Sequence, residues 1–167
     1  QFKPSPTPSV SNGAGRKQSS ACFPGRATVM LENTTVIRME ELEVGHRVHV
    51  GQGIFSDVFM FTHRCSQSYR QFHVLRTTSG HELAVTGDHY LYRDDMKLVP
   101  AESLRKGDSM MLDDGNVSII RSVSFEWMNG LYNPHTLHGD IAVDGLRTST
   151  YTSGLAPSFA HSILAVF

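Results

Sequence analysis

The stretch Cys22-Phe23-Pro24-Gly25-Arg26-Ala27-Thr28-Val29 marks an abrupt change in the character of the chain. Residues 1–21 (QFKPSPTPSVSNGAGRKQSSA) are rich in Pro, Ser and Gly and carry few apolar side chains, the composition of a linker. From Cys22 onward, short β-forming runs alternate with turn residues. A thiol therefore stands at the junction of a leader and a folded domain. Further along, His81-Glu82-Leu83-Ala84-Val85 reads as a strand entering the turn Thr86-Gly87-Asp88-His89, which presents a hydroxyl and an imidazole together.

The β-like runs are Ala27–Leu31, Thr35–Met39, Arg47–Val50, Asp57–His63, Gln71–Thr78, His81–Thr86, Met110–Leu112, Val117–Phe125 and Gly139–Val143. Breaks such as Asp113-Asp114-Gly115-Asn116 and Met128-Asn129-Gly130 separate them. Helical periodicity is confined to short segments around Met39–Leu42 and Pro100–Leu104, where Pro100 suits a first helical turn. The pattern predicts an all-β domain over residues 22–152, followed by an apolar tail at 153–167.

A weak internal repeat refines this. Leu42-Glu43-Val44-Gly45-His46-Arg47-Val48 resembles Leu104-Arg105-Lys106-Gly107-Asp108-Ser109-Met110, and Gly80-His81-Glu82-Leu83-Ala84-Val85 resembles Gly139-Asp140-Ile141-Ala142-Val143-Asp144. The two matches share nearly one offset. That points to a duplicated β unit folded as two pseudo-symmetric halves; chance similarity of Gly-bearing turns is the alternative.

Composition narrows the function. The net charge of −1 offers no basic field for nucleic acid or an anionic membrane. Two cysteines, Cys22 and Cys65, are too few for a disulfide framework or a Cys-based zinc site, although one Cys22–Cys65 bridge would silence the thiol. The histidine pairs His135/His138 and His46/His49 are the metal candidates, but no acidic partner stands at diagnostic spacing, and no metal or other cofactor is expected. No apolar run reaches the ~20 residues that span a bilayer. The first residue, Gln1, and the absence of a signal peptide suggest a segment of a longer precursor, so compartment is not legible from composition.

The residues suit attack on the chain's own backbone. Held close, the Cys22 thiol can add to the Ala21 carbonyl, because a near-attack geometry offsets much of the barrier. An imidazole at His89 can protonate the departing nitrogen of Cys22, and the Thr86 hydroxyl can polarise the Ala21–Cys22 bond. Each element alone is weak evidence: a lone cysteine is usually a small buried hydrophobe, and a Thr-x-x-His pair is common. The combination at a linker boundary favours function.

Together, Cys-Phe-Pro-Gly-x-Ala-Thr-Val at Cys22, GHELAVTGDHYLY at Gly80–Tyr92 and GDIAVDGLRTSTY at Gly139–Tyr151 resemble the Hint domain, the self-cleaving module shared by Hedgehog proteins and inteins. The resemblance implies a disc-like β fold of two halves. It implies Cys22 as nucleophile, His89 as the acid that protonates the amide, and Thr86 as polariser. It also implies the secretory pathway, the domain's own N-terminal flanking polypeptide as substrate, and a monomer.

The departures concern the second step. In Hedgehog proteins an Asp in a Phe-x-Asp-Arg context activates a sterol hydroxyl, whereas here Phe61-Thr62-His63-Arg64 places His63 at that position. His63 is either a different base, for water or another small nucleophile, or a structural strand-end histidine. Thr150 stands where the family carries Cys, beside the expected site. The segment after Thr152 is short, and its apolar part, Ala156–Phe167, reads as the stub of a membrane-facing region. No His-Asn pair closes the domain, so protein splicing is not expected. The leading reading is a single-turnover, cysteine-dependent autoprocessing peptidase. The alternatives are a non-catalytic Hint-fold binding module, sterol transfer of the Hedgehog type, and an intermolecular cysteine protease.

Overall fold

The computed structural model describes residues 21–152, and strands carry most of their regular structure. In chain order these are β1 (Thr28–Met30), β2 (Val36–Arg38), β3 (Arg47–Gly51), β4 (Ile54–Thr77), β5 (Glu82–Val85), β6 (His89–Tyr92), β7 (Leu98–Pro100), β8 (Ser109–Met111), β9 (Val117–Thr136), β10 (Asp140–Val143) and β11 (Leu146–Thr152). The predicted helical segments are single 3₁₀ turns, Met39–Glu41 and Ala101–Ser103. The fold is all-β, as the residue pattern indicates. The expectations for the leader and the tail, at 1–20 and 153–167, lie outside the described residues.

Two long strands organise the rest. β4 and β9 pair antiparallel from Val58↔Thr136 to Thr77↔Ile120. The sequence suggests two separate runs within β4; the structure joins them. Arg64-Cys65-Ser66-Gln67-Ser68-Tyr69-Arg70 is polar and mostly exposed, so no apolar alternation announces a strand there, and the register slips between Cys65 and Tyr69. Likewise β9 runs on through the expected break at Met128-Asn129-Gly130. Gly130 has φ +90°, and a Cβ on it would lie 2.8 Å from the Gly25 nitrogen. That close approach lets the N-terminal stretch cross β9: Phe23 and Tyr132 exchange N–H···O bonds of 2.8 and 3.0 Å, and Gly25 N–H donates to Asn129 O at 3.0 Å.

The two halves repeat each other bond for bond. After the first 3₁₀ turn, Gly45 N–H donates to Val58 O (2.8 Å) and Val58 N–H to His46 O (2.9 Å); after the second, Gly107 N–H donates to Ile120 O (2.9 Å) and Ile120 N–H to Asp108 O (2.8 Å). Leu31 N–H meets Thr35 O at 2.8 Å, and Arg93 N–H meets Lys97 O at 3.0 Å. One core serves both halves. Met39, Leu42, Val48 and Val58 from the first pack with Ala101, Leu104, Met110 and Ile120 from the second. Truncating a fully buried residue of this set, such as Leu42, to Ala costs about 2–5 kcal/mol.

Two reciprocal clasps tie the N-terminal stretch to the ends of β5 and β10. Cys22 N–H donates to Thr86 Oγ1 (2.9 Å) while Thr86 N–H donates to Cys22 O (3.0 Å). Thr28 N–H donates to Asp144 Oδ1 (2.9 Å) while Asp144 N–H donates to Thr28 O (3.0 Å).

Candidate active site

The first clasp falls on the predicted scissile bond. Ala21 and Cys22 are both fully buried. Phe23 is pinned on β9 and Thr86 caps β5, so the peptide nitrogen of Cys22 is held from both sides. The side chain of Cys22 joins a small apolar cluster with Phe72, Val74, Ala84, Met128 and Leu131. Burial, reinforced by the charge of Asp88 and opposed by that of Arg70, pushes its thiol up to about 12. The thiol is therefore protonated at neutral pH and needs a base at the moment of attack.

His89 opens β6, two strands removed from the β10 edge of its sheet. The turn that delivers it closes through a 3.2 Å bond from His89 N–H to Thr86 O. Its ring is 0% exposed and lies 4.3 Å, centroid to centroid, from Phe23. Nε2 meets the carbonyl of Ser149 at 2.9 Å. A carbonyl only accepts, so Nε2 carries the proton and Nδ1 holds the lone pair of the neutral ring. Nδ1 is buried with no partner among the described residues. Burial lowers the ring to about 4, with Ser149 and Asp88 opposing and His135 adding to the fall.

The structure thus links Cys22 and His89 through Thr86, which bonds to both, and sets the His89 ring against Phe23, the neighbour of Cys22. Thr150 lies next in chain to Ser149 on β11, but its hydroxyl and its N–H both go to Gly139 O, at 3.0 and 2.9 Å. Its observed bonds hold β11 in place. His63 sits on β4 opposite Asn133, with Nδ1 buried and without a partner among the described residues. Cys22 and Cys65 are both free, one buried and one exposed, so no bridge silences the thiol. The metal candidates are occupied locally: His46 Nδ1 accepts from Glu43 N–H (3.2 Å), His49 Nε2 from Gly53 N–H (3.0 Å), and His135 Nε2 meets Thr62 Oγ1 (3.1 Å). Among the described residues no group of three His, Cys, Asp or Glu side chains could hold a metal.

Some neighbours of the site carry no local signal for this role in the sequence, and His135 stands out there only as a metal candidate. Asp88 lies inside the Thr86–His89 turn and was available to the sequence reading. The Ser149 carbonyl has no side-chain signal. Asn133 and His135 reach the site only through the pairing of β9, which no local pattern shows.

Comparison with known proteins fits this geometry. The chain is similar to the Sonic hedgehog protein of Danio rerio, with 32% identity over 165 residues, covering 89% of this chain and 40% of that protein. It is also similar to Warthog protein 6 of Caenorhabditis elegans, with 27% identity over 169 residues, covering 93% of this chain and 28% of that protein. The chain therefore spans less than half the length of these relatives. Among solved structures, a DnaB intein from Synechocystis superposes with a TM-score of 0.68 at 12% identity, covering 78% of this chain and 98% of the intein. A bacterial intein-like domain from Clostridium thermocellum gives 0.63 at 18% identity, covering 78% and 98%. These two likenesses show the fold. The family model of the Hint module matches residues 10–167, and the chain belongs to the Hint family.

Proposed function

We propose that this domain cleaves its own backbone between Ala21 and Cys22 through an N-to-S acyl shift, and that the resulting thioester is resolved by water or another small nucleophile without splicing. Kinship with Hedgehog proteins and inteins supports autoprocessing in general. The observation that supports the specific reading is the clasp on the Cys22 nitrogen, Cys22 N–H to Thr86 Oγ1 at 2.9 Å, with the buried His89 imidazole, whose Nδ1 has no partner among the described residues, packed on the next residue, Phe23.

The first step follows from the site electrostatics. A separated thiolate–imidazolium pair is strongly uphill here, because burial disfavours both ions. Proton transfer must accompany S–C bond formation. The Cys22 sulfur adds to the Ala21 carbonyl carbon as its proton passes to His89 Nδ1. That proton then goes to the Cys22 nitrogen as the C–N bond breaks, leaving a thioester and a free amine. Thr86 Oγ1 holds the nitrogen throughout, and the Asp88 charge favours the transient imidazolium. His63 is the base assigned to the second step. The substrate is the domain's own N-terminal flanking polypeptide, with no nucleic acid or cofactor required, in a monomer that follows the secretory pathway of its Hedgehog relatives.

Intact-mass measurement of fresh and aged protein, with and without dithiothreitol, tests the reading. Fragments dividing at Ala21–Cys22, formed faster with the thiol, are expected. A full-length mass that persists for days in reducing buffer near neutral pH overturns it.

A further inference from the structure

Four buried side-chain polar atoms lack a partner among the described residues: His63 Nδ1, His89 Nδ1, Asn133 Oδ1 and Arg93 Nε. Three of them lie on residues that ring packing or strand register relates to the Cys22–Phe23 stretch. His89 is accounted for by the acyl shift. The other two belong to register partners across the β4–β9 pair, His63 and Asn133.

The backbone explains their pairing. Pro134 has no N–H to give to the ladder, and prolines within sheets gather at irregularities. The register runs from Phe61↔Pro134 directly to His63↔Asn133, so Thr62 is the extra residue of a bulge. Bulges re-aim side chains and recur beside active sites. Here Asn133 Nδ2 donates to Thr62 Oγ1 (2.8 Å) and lies 3.4 Å from His135 Nε2, while Thr62 Oγ1 lies 3.1 Å from the same nitrogen. Thr62 and His135 thereby engage the amide nitrogen and leave Oδ1 as a fully buried acceptor without a donor among the described residues. Such a group costs about 1–3 kcal/mol if nothing satisfies it. The Phe23↔Tyr132 bridge, continued by one residue, sets Asn133 opposite Cys22.

We propose that Asn133 Oδ1 and His63 Nδ1 form the seat of the second-step nucleophile, and that this nucleophile is water. This rests on the acyl-shift reading above. One O–H of the water donates to Asn133 Oδ1 and the other to His63 Nδ1. The water oxygen bonds to the Ala21 carbonyl carbon as His63 takes a proton. The tetrahedral adduct then breaks its C–S bond, and that proton passes to the departing Cys22 sulfur. The products are a carboxyl group on Ala21 and the free thiol of Cys22. Asn133 is a positioning residue; Thr62 and His135 hold its amide. A seat framed by Thr62, His63, Asn133 and His135 offers polar groups suited to water rather than an apolar face for a bulky alcohol.

The test compares Asn133→Leu, which removes the acceptor, with Asn133→Asp, which keeps one. Cleavage is followed by mass with and without dithiothreitol, in heavy-oxygen water. Wild type should place one heavy oxygen on the Ala21 carboxylate. In Asn133→Leu the ratio of thiol-independent to dithiothreitol-driven cleavage should fall about 100-fold, the scale of a mispositioned reactant. Asn133→Asp should recover most of that ratio. An unchanged ratio in Asn133→Leu, or equal loss of the ratio in both variants, overturns the seat. Failure of wild type to cleave even with dithiothreitol sinks the acyl-shift reading instead.

Discussion

The peptide nitrogen of Cys22 and the hydroxyl of Thr86 are 2.9 Å apart, and the backbone N–H of Thr86 returns the bond to Cys22 O at 3.0 Å. The residue that would activate the peptide also holds it in register. Thr86→Val keeps the shape and removes the acceptor. It should slow dithiothreitol-driven cleavage about 10- to 100-fold. It should also lower stability by about 1–3 kcal/mol, because a buried N–H loses its partner. Single-turnover rates and denaturant titration measure both, and a variant that loses neither leaves the clasp without a role.

Cys22→Ala should abolish cleavage while leaving the fold in place. The sulfur packs in a small cluster with Phe72, Val74, Ala84, Met128 and Leu131, outside the main core, so truncation should remove about 1 kcal/mol. Near-ultraviolet circular dichroism and mass readings decide it. Loss of tertiary signal would mark Cys22 as a structural residue instead.

His89→Ala should block thioester formation, since no proton would reach the leaving nitrogen. The ring is held near 4, so it is neutral across the physiological range, and the thiol does not ionise there either. The first-order rate at saturating external nucleophile should therefore be flat from about pH 5 to pH 8. A sigmoid centred near 6.5 would show that His89 acts from an ordinary, solvated state.

The same burial ties stability to pH. In the unfolded chain the histidine takes up a proton below 6.5, but folded His89 resists until about 4. The unfolded state binds more protons in that window, so His89 stabilises the fold fully above it and progressively less as pH falls. The swing is about 3 kcal/mol. His135, also lowered by burial, adds in the same direction. Urea unfolding of Cys22→Ala protein at stepped pH should show the loss, and His89→Gln should flatten it. Identical slopes in the two proteins would remove His89 from the linkage.

His63→Ala should lower thiol-independent cleavage far more than dithiothreitol-driven cleavage, by about 100-fold if His63 is the base of the second step. Incubation in sterol-containing detergent should leave the mass of the N-terminal fragment without a sterol-sized increase. An unchanged thiol-independent rate would make His63 a bystander, and a sterol adduct would identify a different second substrate.

What the sequence conveyed depended on distance along the chain. Cys22, Thr86 and His89 were legible because each lies in a compact motif at a turn or a domain boundary. The 3₁₀ turns and the repeat were legible because Gly45 and Gly107 recur in matching contexts. β4 and β9 were only partly so: Arg64–Arg70 alternates no apolar side chains, and only its partner strand makes it a strand. β11 was missed because its buried residues include Thr148, Ser149 and Thr150, whose hydrogen bonds satisfy them inside the fold. Asn133 was silent for the same reason. Its partners Thr62 and His135 become neighbours only when two distant strands are laid side by side.

The second clasp, Thr28 with Asp144, shows what happens when the same pair of bonds carries no thiol. Its bonds fasten β1 to the end of β10. Scission at Ala21–Cys22, as proposed, would leave these fastenings in place. The new amine of Cys22 would already be tethered to Thr86, and the other fastening and the common interior would be unaffected. The spent domain should outlive its reaction as a closed, folded remnant, blocked by its own terminus from ever accepting a second chain.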